Sequence, residues 1–343
     1  MLARECGAHD QRLAEVAQRV AAMKADGAGS PDGAELELWL RAAGTAYVWP
    51  RIWSLEAHSV DPERARERLR RWLGLESEQG QLRCGIGTAS TAAGTTIVVA
   101  VAVSALADLS AAVPIRVRSG QWLTIDAELL IPASDARLIV MGPSVAPHAV
   151  PTAFSDGHVR ARFRADRPGQ WAAQLVVATP EGTRPALEAK IYADCPPPTS
   201  IEPDGASWPS RAARHQTAAH QMRTWINTVR RAWGLRPLEL DPRLNAVAER
   251  HAQSMLESGR LGHEAGDGDP GTRVREAVPE SRFEGENVAR ADTLAGAQRA
   301  IWASPSHRAN ILQGRFDLLG VGVAADGRGS LWVCEVFSDT AGP

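Results

Sequence analysis

The chain has 343 residues, 44% of them apolar and 23% charged, with a formal net charge of −2. This composition excludes collagen-like, disordered and short disulfide-stapled chains, and the length predicts two or three globular domains, each able to fill a core. A balance so near neutral argues against a general binder of nucleic acid or anionic membrane. Of the 38 basic residues 36 are arginines, a bias that reads as base composition rather than as a binding stripe.

No segment reaches the roughly 20 apolar residues that a membrane helix needs. The best candidate, Ile97 to Ala107, is short and β-branched and reads as a buried strand. The N-terminus, Met1 to Cys6, has no apolar core, so no signal peptide is read there. Cys6, Cys84, Cys195 and Cys334 form no Cys-x-x-Cys pair, which argues against a zinc ribbon and leaves one or two disulfides open.

Residues 10 to 80 read as helices. Leu13, Val16, Ala17, Val20 and Met23 keep helical spacing, and Asp61-Pro62 opens a second helix through Ala65, Leu69 and Trp72. A hairpin follows, from Cys84 to Ala89 and from Thr96 to Val103, turning near Gly94. From about Ile115 to Ala193, short Val-, Ile- and Trp-rich segments alternate with Pro, Gly and Asp, the grammar of an immunoglobulin-like β-sandwich. Pro196 to Pro209 reads as a semi-extended linker. Helical periodicity resumes near Arg211 with the stripe Met222, Trp225, Ile226, Val229 and Trp233. Asp241-Pro242 caps the next helix, whose stripe runs through Leu244, Val247, Ala248, His251 and Met255 to a stop at Gly259. A polar loop spans His263 to Gly271, a helix runs from Leu294 to Trp302, and Ser304-Pro305 starts another. The chain ends in a hairpin around Asp326-Gly327.

Six fragments in this last third occur in an order that resembles the CAP superfamily, also called the SCP domain. They are Gly234-Leu235-x-Pro237-Leu238 with Asp241, Ala248-x-x-His251-Ala252-x-x-Met255, His263, Gly285-Glu286-Asn287-Val288-Ala289, Trp302-x-Ser304-Pro305-x-His307-Arg308-x-Asn310-Ile311-Leu312, and Gly320-Val321-Gly322-Val323 with Trp332-Val333. The resemblance covers about residues 212 to 338. It departs from the family at Cys334-Glu335, where bacterial relatives often carry smaller or amide residues, and it lacks the second glutamate of animal members.

The resemblance implies an α-β-α sandwich whose cleft gathers His263, Glu286 and His307, with Asn287 and Arg308 beside them as ligand-binding candidates. Two neutral imidazoles and a carboxylate can hold a divalent metal, zinc being favoured, or relay protons without one. The separations of 23 and 21 residues are no metal signature by themselves. His251, on an apolar stripe, reads as a packed, hydrogen-bonded core residue, and Trp302 as core.

The chain as a whole reads as a multidomain α+β protein. An N-terminal α/β domain covers 1–110, a β-sandwich 111–195, the linker 196–210 and the CAP domain 211–343. Cys84 to Gly87 and Ile97 to Val103 echo Gly320 to Val323 and Leu331 to Phe337, so the first domain is either a degenerate CAP-like repeat or a chance helix and hairpin. The resemblance also implies an exported bacterial protein of the cell envelope or exterior. Three functions stay open: a module binding a lipid, sterol, peptide or envelope glycan, with or without a divalent metal; a hydrolase using metal- or His-activated water at His263, Glu286 and His307; and a structural envelope protein. Nucleic acid is not an expected partner.

Overall fold

Asp10 starts the first long helix: its carboxylate accepts from the backbone N–H groups of Arg12 and Leu13, which lack helical partners of their own. Around it, the computed structural model of the chain describes residues 2–6, 8–31, 33–59, 61–74, 80–180, 182–198, 217–327 and 329–339. The expected linker, from residue 199 on, and the first residues of the expected CAP domain, 211–216, lie outside the described residues. Among the described residues the chain divides into two compact units. One comprises the stretches 1–143, 149–177 and 185–203, and the other comprises 144–148, 178–184 and 204–343.

The first unit opens with β1 (Ala8–His9), α1 (Gln11–Ala25), α2 (Gly33–Ala42), β2 (Arg51–Ala57), α3 (Pro62–Leu73), β3 (Gln81–Ser90) and β4 (Thr96–Ala105). The strands form one sheet in the order β1-β3-β4-β2, with β1 parallel to β3 and the other pairs antiparallel. Leu13, Val16, Ala17 and Val20 of α1 bury against Ile97, Val99, Val101 and Val103 on one face. Leu69 and Leu73 of α3 bury against Ala100 and Ala102 on the other, beside a Cys6–Cys84 disulfide. Covered on both faces, β4 is an unbroken apolar run rather than an alternation. The strand β2 interrupts a region that reads as helical. Its residues are nearly all half-buried, so no period of two marks it in the sequence.

Two sheets then share one core. The short strands β5 (Ala107–Leu109) and β6 (Arg116–Val117) lead into β7 (Gln121–Leu129), β8 (Asp135–Met141), β9 (His148–Val150), β10 (Thr152–Ser155), β11 (His158–Ala165), β12 (Gly169–Thr179) and β13 (Gly182–Ala193). One sheet runs β10-β11-β7-β5 and the other β6-β13-β12-β8-β9. Leu123, Ile125, Leu138, Val159, Phe163, Trp171, Leu175 and Ile191 fill the space between them. On β11 every second residue is buried and the others are exposed.

The second unit carries α4 (Ala218–Ala232), β14 (Glu239–Leu240), α5 (Pro242–Ser258), α6 (Pro270–Ala277), β15 (Glu284–Ala291), α7 (Leu294–Ala303), α8 (Pro305–Ile311), β16 (Leu318–Ala325) and β17 (Leu331–Ser338). The sheet order is β14-β16-β17-β15, with β14 parallel to β16. One face packs on α5 through Leu244, Val247, Ala248, Val288, Cys334 and Val336. The other packs on α4, α7 and α8 through Trp225, Ile226, Ala297, Ile301, Ile311, Val321, Val333 and Phe337. The result is a three-layer α-β-α arrangement. Glycine brings α5 onto the sheet. A Cβ at Gly320 or Gly322 would lie 2.2 or 2.1 Å from backbone atoms of Leu244 or Ala248. Helix α6 falls within and beyond what reads as a polar loop. Asp269 caps it by accepting from the Thr272 N–H, and Pro270 takes its first turn.

Candidate functional site

Residues of β15 alternate between the two faces of the sheet, so neighbours in sequence serve different layers. Glu286 turns toward α5. Asn287, directly opposite Glu335 of β17, turns toward α7 and α8. Each face therefore receives one buried polar cluster.

On the α5 face Glu286 is the hub. Its Oε1 accepts from His263 Nδ1 at 2.9 Å and lies 3.6 Å from His251 Nε2, while Oε2 accepts from Arg273 Nη2 at 2.6 Å. Burial opposes ionisation of Glu286. The His263 hydrogen bond, with the charges of His263, His251 and Arg273, outweighs it and holds the carboxyl below the ordinary range. Arg273, on α6, also donates from Nη1 to the carboxylate of Asp267 at 3.0 Å and to the His263 and Gly268 carbonyls. His251 is fully buried on α5. Its Nδ1 lies 2.7 Å from Asp267 Oδ1 and its Nε2 3.0 Å from the Gly262 carbonyl oxygen, so both ring nitrogens face acceptors. Beneath the hub lies Cys334, whose thiol is pushed well up by burial and by the Glu286 charge. Two members of this cluster reach the surface, His263 at 19% of its side chain and Asp267 at 23%, against 3% for Glu286.

On the opposite face Glu335 is fully buried, accepting from Asn287 Nδ2 and from Gln298 Nε2, each at 2.8 Å. Burial pushes its carboxyl up to about 7 against the pull of those two hydrogen bonds. Asn287 Nδ2 also donates to the His307 carbonyl at 3.2 Å, and its Oδ1 accepts from Asn310 Nδ2 at 2.9 Å. Asn310 closes the link by donating to the Glu286 carbonyl at 3.1 Å.

The structure thus joins His263 and Glu286 by a direct hydrogen bond, and it joins His307 to them through its backbone and the Asn287–Asn310 bridge. Asn287 is an internal connector. Arg308 donates from Nε to the Trp302 carbonyl at 2.6 Å, with its guanidinium 3.9 Å from the centre of the Trp302 ring. Trp302 is half-buried, edge-on to Trp225 at 5.7 Å, rather than enclosed in the core. Reading the sequence by periodicity places His251 correctly as a packed histidine but misses its approach to Glu286. It also misses Arg273, Asp267 and Glu335. Asp267 and Arg273 sit in a stretch with no pattern of its own. The mismatched Cys334-Glu335 pair was the one signal for Glu335.

A divalent cation does not fit this donor set. Both Glu286 oxygens are engaged, one by an imidazole nitrogen and the other by a guanidinium, which supplies the positive charge that a metal would bring. Among the described residues no three His, Cys, Asp or Glu side chains converge as ligands for a metal ion.

The description of the cysteine-rich secretory protein family, CAP, matches residues 224–336. The chain carries a CAP domain. Among solved structures, the chain is similar to an outer surface protein from Borrelia burgdorferi, at 21% identity and a TM-score of 0.33, over 35% of this chain and 90% of that one. It is also similar to an extracellular SCP-domain protein from Bacillus anthracis, at 15% identity and a TM-score of 0.33, over 66% and 88%. A cysteine-rich secretory protein from Staphylococcus aureus is similar at 11% identity and a TM-score of 0.30, over 65% and 83%. Among curated proteins, none matches the chain by sequence. The CAP domain is α+β, and no described helix is long and apolar enough to cross a membrane.

Proposed function

We propose that the CAP domain is a binding module of an exported bacterial protein, taking a small lipid, peptide or envelope glycan at the edge formed by His263, and that it works without a resident divalent cation. The carrying observation is the closed pairing of Glu286. A carboxylate held low by His263 and Arg273 has no proton to give a leaving group, and with each oxygen already accepting from one of these cations its basicity toward water is reduced. Glu335, whose carboxyl burial pushes up to about 7, is sealed on the other face of the sheet. That arrangement favours binding over hydrolysis. The Cys6–Cys84 disulfide supports an oxidising, extracytoplasmic setting. In this reading the two-sheet region is an immunoglobulin-like module and the first shell a degenerate CAP-like repeat, both giving reach to the CAP domain.

The test is turnover of peptidoglycan, casein and a nitrophenyl ester by the full chain, with and without zinc, alongside calorimetric zinc titration of wild type and His307→Ala. No turnover and no tight zinc uptake in either protein is the expected result. Zinc-dependent turnover that is lost in Glu286→Gln would replace this reading with a hydrolase.

A further inference from the structure

The outer face of the sheet β10-β11-β7-β5 carries the most exposed tryptophan among the described residues: Trp122 is 57% accessible. Strand β11 sends Val159, Ala161, Phe163 and Ala165 inward and His158, Arg160, Arg162 and Arg164 outward. The antiparallel register sets Arg164 directly opposite Trp122 and Arg162 opposite Thr124. The Arg162 guanidinium lies 5.3 Å from the centre of the Trp122 ring, and Arg164 donates from Nε to the Gly120 carbonyl. Both arginines are thereby positioned. Among the described residues neither is within ion-pair distance of a carboxylate. The nearby acids are spoken for: Asp126 pairs with His158 at 2.9 Å and with Arg160 at 3.6 Å, and Asp166 pairs with Arg167 at 3.1 Å.

We infer that this face binds an anionic polysaccharide, with one sugar ring on Trp122 and its acidic groups on Arg162 and Arg164. An exposed indole on a flat sheet offers a dispersion platform for the apolar face of a pyranose. The two arginines leave the strand roughly 7 Å apart at the backbone, and each guanidinium can take a carboxylate or phosphate in a two-pronged fashion. A solvent-facing tryptophan stacked by Arg162 and next to Arg164, neither arginine paired with a carboxylate among the described residues, is complementary to an anion that carries its own apolar face. Nucleic acid fits less well. The positive field is two residues wide and bounded by Asp126 and Asp166, and the chain as a whole is at −2. The inference rests on the β-sheet face alone and does not depend on the CAP cleft.

Affinity electrophoresis of the full chain tests it, in gels containing alginate (carboxylate), a poly(ribitol phosphate) teichoic acid (phosphate), uncharged dextran or poly-glutamate. Retardation by alginate or teichoic acid, absent with dextran, is expected, and the arm that retards tells which acid is preferred. Trp122→Ala and the pair Arg162→Ala/Arg164→Ala should each weaken it at least tenfold with unchanged thermal melting, since all three side chains are exposed. Three results would overturn the inference. One is no retardation in either acidic gel. Another is retardation by poly-glutamate equal to that by the glycans and indifferent to Trp122→Ala. The third is a solution mass of a dimer that Trp122→Ala converts to a monomer, which would make a second copy the occupant.

Discussion

The sheets β1-β3-β4-β2 and β14-β16-β17-β15 are connected alike. Each begins with a two-residue strand parallel to its neighbour, passes through an Asp-capped helix, places its next strand at the far edge, and returns through a helix to a closing hairpin. Each hairpin carries two glycines against the capped helix. A Cβ at Gly85 or Gly87 would come within 1.9 or 2.2 Å of α1 backbone atoms, as one at Gly320 or Gly322 would within 2.2 or 2.1 Å of α5. With those glycines aligned, Leu13, Val16, Ala17 and Ala21 stand where Leu244, Val247, Ala248 and Ala252 stand. The differences fall where the second sheet is charged. Val20 replaces His251, Ile52 replaces Glu286, Trp53 replaces Asn287, and Ala100 replaces Glu335. The first shell instead carries a disulfide on the face of Ala100. A layer arrangement that folds with apolar residues at these positions does not require a buried ionic network. Burying charge costs desolvation, which the network in the CAP domain offsets only through its own pairings.

The shared skeleton is the first thing to break. Gly87→Val and Gly322→Val should each cost about 5 kcal/mol or more, because the clash is with helix backbone that no rotamer change relieves. Loss of a cooperative melt in both variants is expected, and an intact melt in either would mean that the two sheets are not held alike. Next comes the difference itself. Glu286→Ala removes the buried carboxylate that pairs with Arg273 and His263 and lies beside His251, and should destabilise by about 4 kcal/mol in a denaturant titration. Ile52→Ala at the matching position, half-buried and apolar, should cost about 1–2 kcal/mol.

The disulfide closes a separation of 78 residues, so Cys6→Ser/Cys84→Ser should lower stability by about 3 kcal/mol, read as a shift of one calorimetric transition. A reductant should move that transition and leave the one shifted in Glu286→Ala in place.

The smallest effect concerns pH. The Glu335 carboxyl is raised by burial from 4.5 to about 7. Folding therefore takes up a proton in this window, and the stability tied to it is complete below 4.5 and fades as pH rises through 7. Glu335→Gln should flatten that slope, gaining on the order of 2 kcal/mol at about pH 8 relative to wild type. The Gln298 amide can turn to accept from the new amide group. A slope unchanged in Glu335→Gln would place the titration elsewhere. Glu286, held low, acts in the opposite sense, its stability lost only as pH falls through its depressed range.

Much was legible in the sequence. Asp61-Pro62 and Asp241-Pro242 mark helix starts, and Gly259, at φ 67°, marks a stop, because capping and left-handed backbone are local demands met by particular residue types. The strands of the two-sheet region show because their alternation is written residue by residue. By contrast β2 and α6 were missed, the one without alternation and the other hidden in a polar stretch.

Helix caps, hairpin glycines, apolar stripes and the ordered motifs of the CAP domain can be read along the chain, since each depends on neighbours a few residues apart. What Glu286 meets depends on the fold. His251, His263, Asp267 and Arg273 come from a helix, two loop positions and a second helix, and the partner of a charge is chosen by distance in space. The same holds for the arginines of β11. They look like compositional bias along the chain, and become a stripe beside Trp122 only when the register aligns two strands.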